Sequence, residues 1–197
     1  MLRLSLALLL WSWALGCKPA PLPQLGVVPQ FSLRDQRGEA VTPASLRGQP
    51  FIANFVFTRC PDVCPLLTSK LAGVRSRLVG DRVRVRYVSF SVDPAYDSPE
   101  VLARYAQEHH VAFDDWRFVT GDAAAVQAVI VKGFKQSLTE QPGKPGKPAN
   151  ILHGTHFVLA DAALRIRGYY RSDEEGMLML ARDARRLVLG AERGQDP

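Results

Sequence analysis

Apolar and polar positions along this chain fall into blocks of period two, of period 3.6, and of nearly unbroken apolarity. "FSLRDQRGEAVT" (31–42) alternates, breaks at Asp35–Gly38 and alternates again, which predicts a β-hairpin. "FIANFVFT" (51–58) is almost wholly apolar, as in a central strand covered on both faces. Leu67, Leu71, Val74 and Leu78 then recur at helical spacing. "RVRVRYVSFSV" (82–92) begins by alternating and ends apolar, a second strand. Ser98-Pro99-Glu100 has the form of a helix start: a capping serine, a proline in the first turn and an acid near the positive end of the dipole. "WRFVT" (116–120) reads as a short strand, and Val126, Val129, Ile130 and Phe134 stripe another helix. "FVLAD" and "LRIRGYY" read as a strand pair. Ser172 with Glu175 forms a capping box for a last helix containing Leu180, Leu187 and Val188.

The order is a hairpin, then β-α-β-α-β-α, then two strands and a helix. It predicts an α/β, thioredoxin-like three-layer fold with an N-terminal β-hairpin extension and a mostly parallel central sheet. Ligands in such sheets gather at the carboxyl ends of strands.

The first 17 residues do not belong to that domain. "MLRLSLALLLWSWALGC" carries Arg3, then an apolar run of about 12 residues, shorter than the ~20 of a membrane span and suited to a signal peptide. Its ending "ALGC" resembles a bacterial lipoprotein box, which makes Cys17 a candidate lipid anchor. An ordinary signal peptide or a short uncleaved anchor are the alternatives. "KPAPLPQLGVV" (18–28) reads as a Pro-rich linker, 29–190 as the domain and 191–197 as a tail. The expected location is extracytoplasmic, in a bacterial periplasm, and membrane-anchored.

Composition changes this picture little. With 47% hydrophobic and 22% charged residues the 197-residue chain has the makeup of one ordinary globular domain. No P-loop or G-x-G-x-x-G supports nucleotide binding. The net charge is +6, and Arg75, Arg77, Arg82, Arg84 and Arg86 cluster. No aromatic interleaving or recognition motif accompanies them, so no nucleic acid is expected. A solvated face, with attraction to anionic lipid or an acidic partner as its functional variant, is the reading.

The chemistry concentrates in "RCPDVCPL" (59–66). Cys60 and Cys64 are the only cysteines beyond Cys17. Residues at i and i+4 face one way on a helical turn. Pro65 disfavours the helical conformation at Cys64, so the segment reads as a loop entering a helix that begins at Pro65. Thiols near a helix N-terminus are biased toward thiolate, which is both a soft ligand for Cu(I) and a nucleophile. Taken alone, the pair is open between a structural disulfide, a redox dithiol and a metal pair. Of four histidines, His109 and His110 end a predicted helix and read as surface residues. His153 and His156 enter a strand expected beside the dithiol, where one of them could be a third ligand.

"FVFTRCPDVCP", "VSFSVDPAYDSPEVLARYA" and "HGTHFVLAD…RIRGYY" together resemble the SCO/SenC family of copper-binding thioredoxin-fold proteins, over roughly Phe31 to Leu189. The resemblance implies that Cys60, Cys64 and a distant histidine bind one copper ion, as Cu(I) or Cu(II). It implies delivery of copper to, or maintenance of the thiols of, the dinuclear copper site of cytochrome c oxidase subunit II. Its histidine lies six residues before a Leu and eight before an Asp. Leu159 and Asp161 fit those positions, so His153 is the expected ligand, with His156 where the family varies. Asp93, Asp97 and Pro99 match V-D-P-x-x-D-x-P, a segment expected to shape the loop beside the site rather than to ligate. Two thiolates and an imidazole suit Cu(I) and accept Cu(II), whereas structural zinc wants a fourth protein ligand.

Two departures stand out. Leu164 occupies a turn where many members have Gly, so a positive φ would be strained there. "QPGKPGKPANIL" reads as a solvated loop, or as a mobile basic loop (141–148) that opens the site or meets an acidic partner. The alternative function is a thiol:disulfide oxidoreductase using the same cysteines, or a redox or copper sensor. The missing W-C-G-P-C, and Thr155 where a cis-proline is usual, weigh against a general thioredoxin. "TRC" in place of T-x-x-C disfavours a peroxidase. A conventional enzyme is not expected. The partners that the resemblance implies are the oxidase subunit II domain and another periplasmic copper chaperone, and a monomer suffices.

Overall fold

The computed structural model describes residues 20–61, 63–141 and 150–192. The leader with Cys17, the Pro/Gly/Lys stretch 142–149 and residues 193–197 lie outside the described residues. No described helix is long and apolar enough to cross a membrane.

The elements run in the predicted order. Strands β1 (Gly26–Val27), β2 (Leu33–Asp35) and β3 (Ala40–Val41) are followed by a one-turn helix α1 (Pro43–Leu46). The centre is β4 (Phe51–Val56), α2 (Val63–Gly80), β5 (Arg86–Ser91), α3 (Pro99–Glu108) and β6 (Trp116–Thr120). Helix α4 (Ala123–Gln127) continues as a π-helical stretch, Ala128–Gly133. Then come β7 (Leu138–Gln141), β8 (Asn150–His153), β9 (Phe157–Ala160), β10 (Arg165–Tyr170) and α5 (Glu174–Glu192).

Eight strands form one sheet in the order β1-β10-β9-β4-β5-β6-β2-β3. Every residue of β4 is buried, as its apolarity requires. Successive side chains of β4 go to opposite faces. On one face Phe55 and Phe90 pack against Phe134 of the segment after α4. On the other, Tyr105 of α3 touches Phe118 and meets Thr68 of α2, and α2 packs along α5. The result is the expected three layers.

The expectation of a mostly parallel sheet is corrected. Only β4–β5 and β5–β6 pair in parallel; the other pairings of the sheet are antiparallel. Parallel neighbours need a long crossover, and only α2 and α3 supply one between adjacent strands. The hairpins β2–β3 and β9–β10 flank this parallel centre and contribute antiparallel pairs.

Smaller differences have local causes. The second strand starts at Arg86, opposite Phe51 where β4 begins, while Arg82, just after α2, takes φ +59. Helix α5 is capped by Asp173, whose Oδ1 accepts the Gly176 N–H at 2.9 Å; the Ser172 carbonyl is engaged instead by Lys70. Part of the segment read as a linker lies along the sheet edge. There β1 pairs with β10, while Arg167 and Arg186 donate to the carbonyls of Leu22 and Ala20. Leu164 does adopt a positive φ, +67, in the β9–β10 turn.

Candidate metal centre

The dithiol sits where β4 leaves the sheet. Phe57 is still buried; Thr58 and Arg59 then turn the chain, and the Cys60 N–H donates to the Phe57 carbonyl at 3.2 Å. Helix α2 begins at Val63 rather than at the predicted Pro65. Cys64 therefore lies in the first turn, where a following proline is tolerated because first-turn N–H groups have no helical acceptor. The free Cys64 N–H instead donates to the Cys60 Sγ at 3.4 Å. Both cysteines are free thiols; Cys60 is half-buried and Cys64 fully buried. Burial pushes the Cys64 thiol well above its ordinary range, and the neighbouring Cys60 adds to this, with Phe57 backbone hydrogen bonding opposing it.

Two aspartates hold the chain immediately before Cys60. Asp97 is completely buried and accepts from Thr58 Oγ1 and Ser91 Oγ, both at 2.6 Å, and from the Thr58 N–H at 3.3 Å. Burial raises its pKa, while the Ser91 and Thr58 hydrogen bonds oppose that rise. Asp93 receives Arg59 at 2.5 Å, and the Arg59 guanidinium lies 4.4 Å from the centre of the Tyr96 ring. The segment after β5 thus clamps Thr58 and Arg59, and neither aspartate faces outward as a ligand.

The imidazole arrives on a separate element. β7 and β8 form a two-stranded antiparallel ribbon, with His153 opposite Leu138. The sequence reading took this stretch for a loop, because its Pro/Gly/Lys middle outweighs two short flanking strands. The His153 Nδ1 lies 3.0 Å from the Gly154 carbonyl oxygen and donates to it. The Nε2 lone pair is then left toward the Cys64 Sγ, 3.7 Å away. Phe57 packs edge-on to the ring. Burial lowers the pKa of His153, only partly countered by the Gly154 carbonyl, so the ring is neutral near pH 7.

Cys60, Cys64 and His153 therefore come together from two backbone units. As they stand, no group of three His, Cys, Asp or Glu side chains among the described residues is tight enough to hold an ion. The donor set nevertheless fits a soft monovalent or borderline cation: two thiols that become thiolates on losing protons, and an imidazole with its lone pair already free. His156 is exposed, His109 caps α3 with its ring tilted against that of Tyr105, and His110 is exposed. Thr58, Arg59, Tyr96, Phe57 and Gly154 were not singled out by the sequence. Of these, only Arg59, adjacent to Cys60, offered a signal, as a charge next to a thiol.

A dithiol at the carboxyl end of a central strand, with a histidine ring nitrogen 3.7 Å from one of its sulfurs, defines a thioredoxin-like protein equipped for thiol or metal chemistry. The SCO1/SenC family model matches residues 20–188, and the chain belongs to that family. A SCO1 protein homolog of Bacillus subtilis (strain 168) is 32% identical over 133 residues, 67% of each chain. BsSco, described with a disulfide switch and as a member of the Sco family of cytochrome c oxidase assembly proteins, superposes with TM-score 0.74 at 27% identity, over 85% of this chain and 97% of its own. ScoI of Bradyrhizobium japonicum, solved with copper bound, gives TM-score 0.70 at 27% identity, over 82% and 99%. SCO2 of Saccharomyces cerevisiae is matched over 132 residues, 43% of its length, and SCO2-like proteins of Rickettsia prowazekii and Rickettsia typhi over 83 residues each, 40% and 41% of theirs.

Proposed function

We propose that this protein binds one copper ion through Cys60, Cys64 and His153. In this reading it delivers copper to, or keeps reduced, the dinuclear copper site of cytochrome c oxidase subunit II. It works outside the cytoplasm, held to the membrane through its N-terminus with Cys17 as the lipid anchor, and takes copper from another periplasmic chaperone. The observation that carries the reading is the tautomer of His153: with Nδ1 committed to Gly154, the free Nε2 is directed at a buried thiol. Copper is cargo here. The chain supplies a neutral imidazole, gives up thiol protons, and holds the dithiol loop still through Asp93 and Asp97 while ligands exchange.

The test is an anaerobic Cu(II) titration of the reduced full chain, followed in the visible spectrum, with His153→Ala in parallel. A saturable 1:1 sulfur-to-copper charge-transfer band is expected, with Cu(II) affinity at least about tenfold weaker in the variant. Equal affinity in the two proteins would remove His153 from the site.

A thiol:disulfide exchange role is the second reading. It is favoured by the asymmetry of the pair, a half-exposed Cys60 before a buried Cys64, since exchange needs one accessible attacking sulfur and one resolving sulfur. Turnover of a disulfide substrate that persists in His153→Ala, with no stable copper complex, would decide for it.

A further inference from the structure

The arginine cluster is split by the fold. Arg75 and Arg77 lie on α2, and Arg75 is bound to Asp115 at 2.8 Å. Arg82, Arg84 and Arg86 instead line a cavity of about 860 Å³. Its walls come from the chain before β4 (Ser45, Leu46, Gln49), the start of β5, and Asp114 and Asp115 before β6. β4, β5 and β6 run parallel, so this cavity lies at their amino ends and the dithiol lies at the opposite, carboxyl end.

The local geometry points the charges one way. Val83 and Val85 are each 2% exposed, so the alternating arginines between and beside them stand on the outer side of an extended segment. Arg82 is pinned in the left-handed conformation where glycine commonly ends a helix. Its N–H donates to the Val79 carbonyl at 3.0 Å, and the next N–H donates to Leu78 at 2.8 Å. Arg86 donates only to neutral acceptors, Gln49 Oε1 at 3.0 Å and the Ser45 carbonyl at 2.7 Å, so its charge is held in place without being cancelled. Among the described residues Arg82 and Arg84 have no ion pair. Of the two lining acids, Asp115 is already neutralised by Arg75, leaving Asp114. A fourth lining arginine, Arg117, is occupied by Asp35 and Glu39.

We propose that this cavity is an anion site that takes a phosphate-bearing ligand. Guanidinium groups match phosphate oxygens two at a time. The volume exceeds what a bare phosphate fills. Val79, 56% exposed at the rim, offers apolar surface to whatever the phosphate carries. The chemistry is shared by a soluble phosphate compound and by the headgroup of an anionic phospholipid. The site is independent of the copper reading, because no lining residue touches Cys60, Cys64 or His153.

The experiment is calorimetric titration of the full chain in neutral detergent micelles with two probes. One is inorganic pyrophosphate; the other is the same micelle doped with phosphatidylglycerol. Saturable 1:1 binding of at least one probe is expected. It should weaken at least tenfold in Arg82→Gln/Arg84→Gln and measurably in Arg84→Gln alone, and stay unchanged in Arg104→Gln, which alters an exposed arginine elsewhere. All replaced side chains are exposed, and circular dichroism checks that the variants fold. Binding of pyrophosphate assigns a soluble ligand, and binding of the doped micelle alone assigns a lipid headgroup. No binding of either probe, unchanged binding in the double variant, or an equal loss in Arg104→Gln would overturn the site.

Discussion

Replacing Asp97 separates its structural role from its charge. The carboxylate is fully buried and satisfies three donors, Thr58 Oγ1, Ser91 Oγ and the Thr58 N–H. Asp97→Ala leaves all three without this acceptor. A buried donor stripped of its partner costs about 1–3 kcal/mol. Thr58 is half-buried and its hydroxyl can turn toward water, whereas Ser91 is buried. Part of the loss is offset, because burial of the charge itself works against the folded state, as the raised pKa of Asp97 indicates. The expected net loss for Asp97→Ala is about 2–4 kcal/mol. Asp97→Asn keeps one acceptor oxygen for Thr58 and lets the Ser91 hydroxyl rotate to accept, so its cost is about 1 kcal/mol or less. The pH dependence has a definite sign. A carboxyl whose folded pKa is raised contributes stability at low pH that is lost as pH rises from the ordinary aspartate range, about 4, through its raised value. The stability of the wild type relative to Asp97→Asn therefore falls as pH rises through that window. Urea unfolding of the reduced protein at several pH values measures both effects. A loss below about 0.5 kcal/mol for the alanine variant, or equal losses for both variants, would refute the account, since this bonding pattern makes their difference large.

Other perturbations read neighbouring features. Leu164→Gly relieves a left-handed leucine worth about 1–2 kcal/mol but removes a side chain only 3% exposed, and burial of that size is worth about 2–5 kcal/mol. The variant should be less stable in urea; a more stable variant would mean that strain outweighs packing. Gly154→Ala places a Cβ 2.3 Å from Gln136 Oε1, so Gln136 or the ribbon must shift and take the imidazole with it. Its copper charge-transfer band should move, and an identical band would show that the ring is held by other contacts. Copper loading near pH 7 should release protons from thiols only, because burial keeps His153 neutral. Affinity should then rise with pH through thiol ionisation, and fall further only below the lowered His153 pKa. Calorimetry in buffers of different ionisation enthalpy should find the same proton count in His153→Ala; a smaller count would place a proton on the imidazole.

The elements easiest to read were those whose burial dictates composition. β4 is covered on both faces and reads as an apolar run; α2 is covered on one face and reads as a stripe ending at Leu78. The Ser98 cap was legible because capping is local, and its side chain accepts the Val101 N–H as the motif requires. Strand direction was not legible, since a pattern of strands and helices does not say which neighbours pair. The start of α2 was misplaced because Pro65 disfavours helix at Cys64 only as a tendency, and here the Cys60 sulfur gives the Cys64 N–H a partner. The β7–β8 ribbon escaped because two four-residue strands carry little periodicity. The knot of Thr58, Ser91 and Asp97 spans up to 39 residues of chain, and no local window contains it.

The division of the site between two backbone units has a chemical consequence. Cys60 and Cys64 belong to a loop and helix start fixed to the main sheet through Thr58, Arg59, Asp93 and Asp97. His153 belongs to a ribbon whose own ladder is separate from that sheet. In the proposed copper site, losing the imidazole from the ion would therefore demand no movement of the thiols. A soft ion can remain on two thiolates while the third position changes hands, because low coordination numbers suit Cu(I). A site built on one rigid element would have to release all its ligands together. The same separation explains why the His153 tautomer matters: the ribbon presents the ring, and the Gly154 carbonyl leaves Nε2 free to bind or leave. A dithiol half pinned to the main sheet and a histidine carried on its own ribbon are the arrangement that the proposed carrier role calls for.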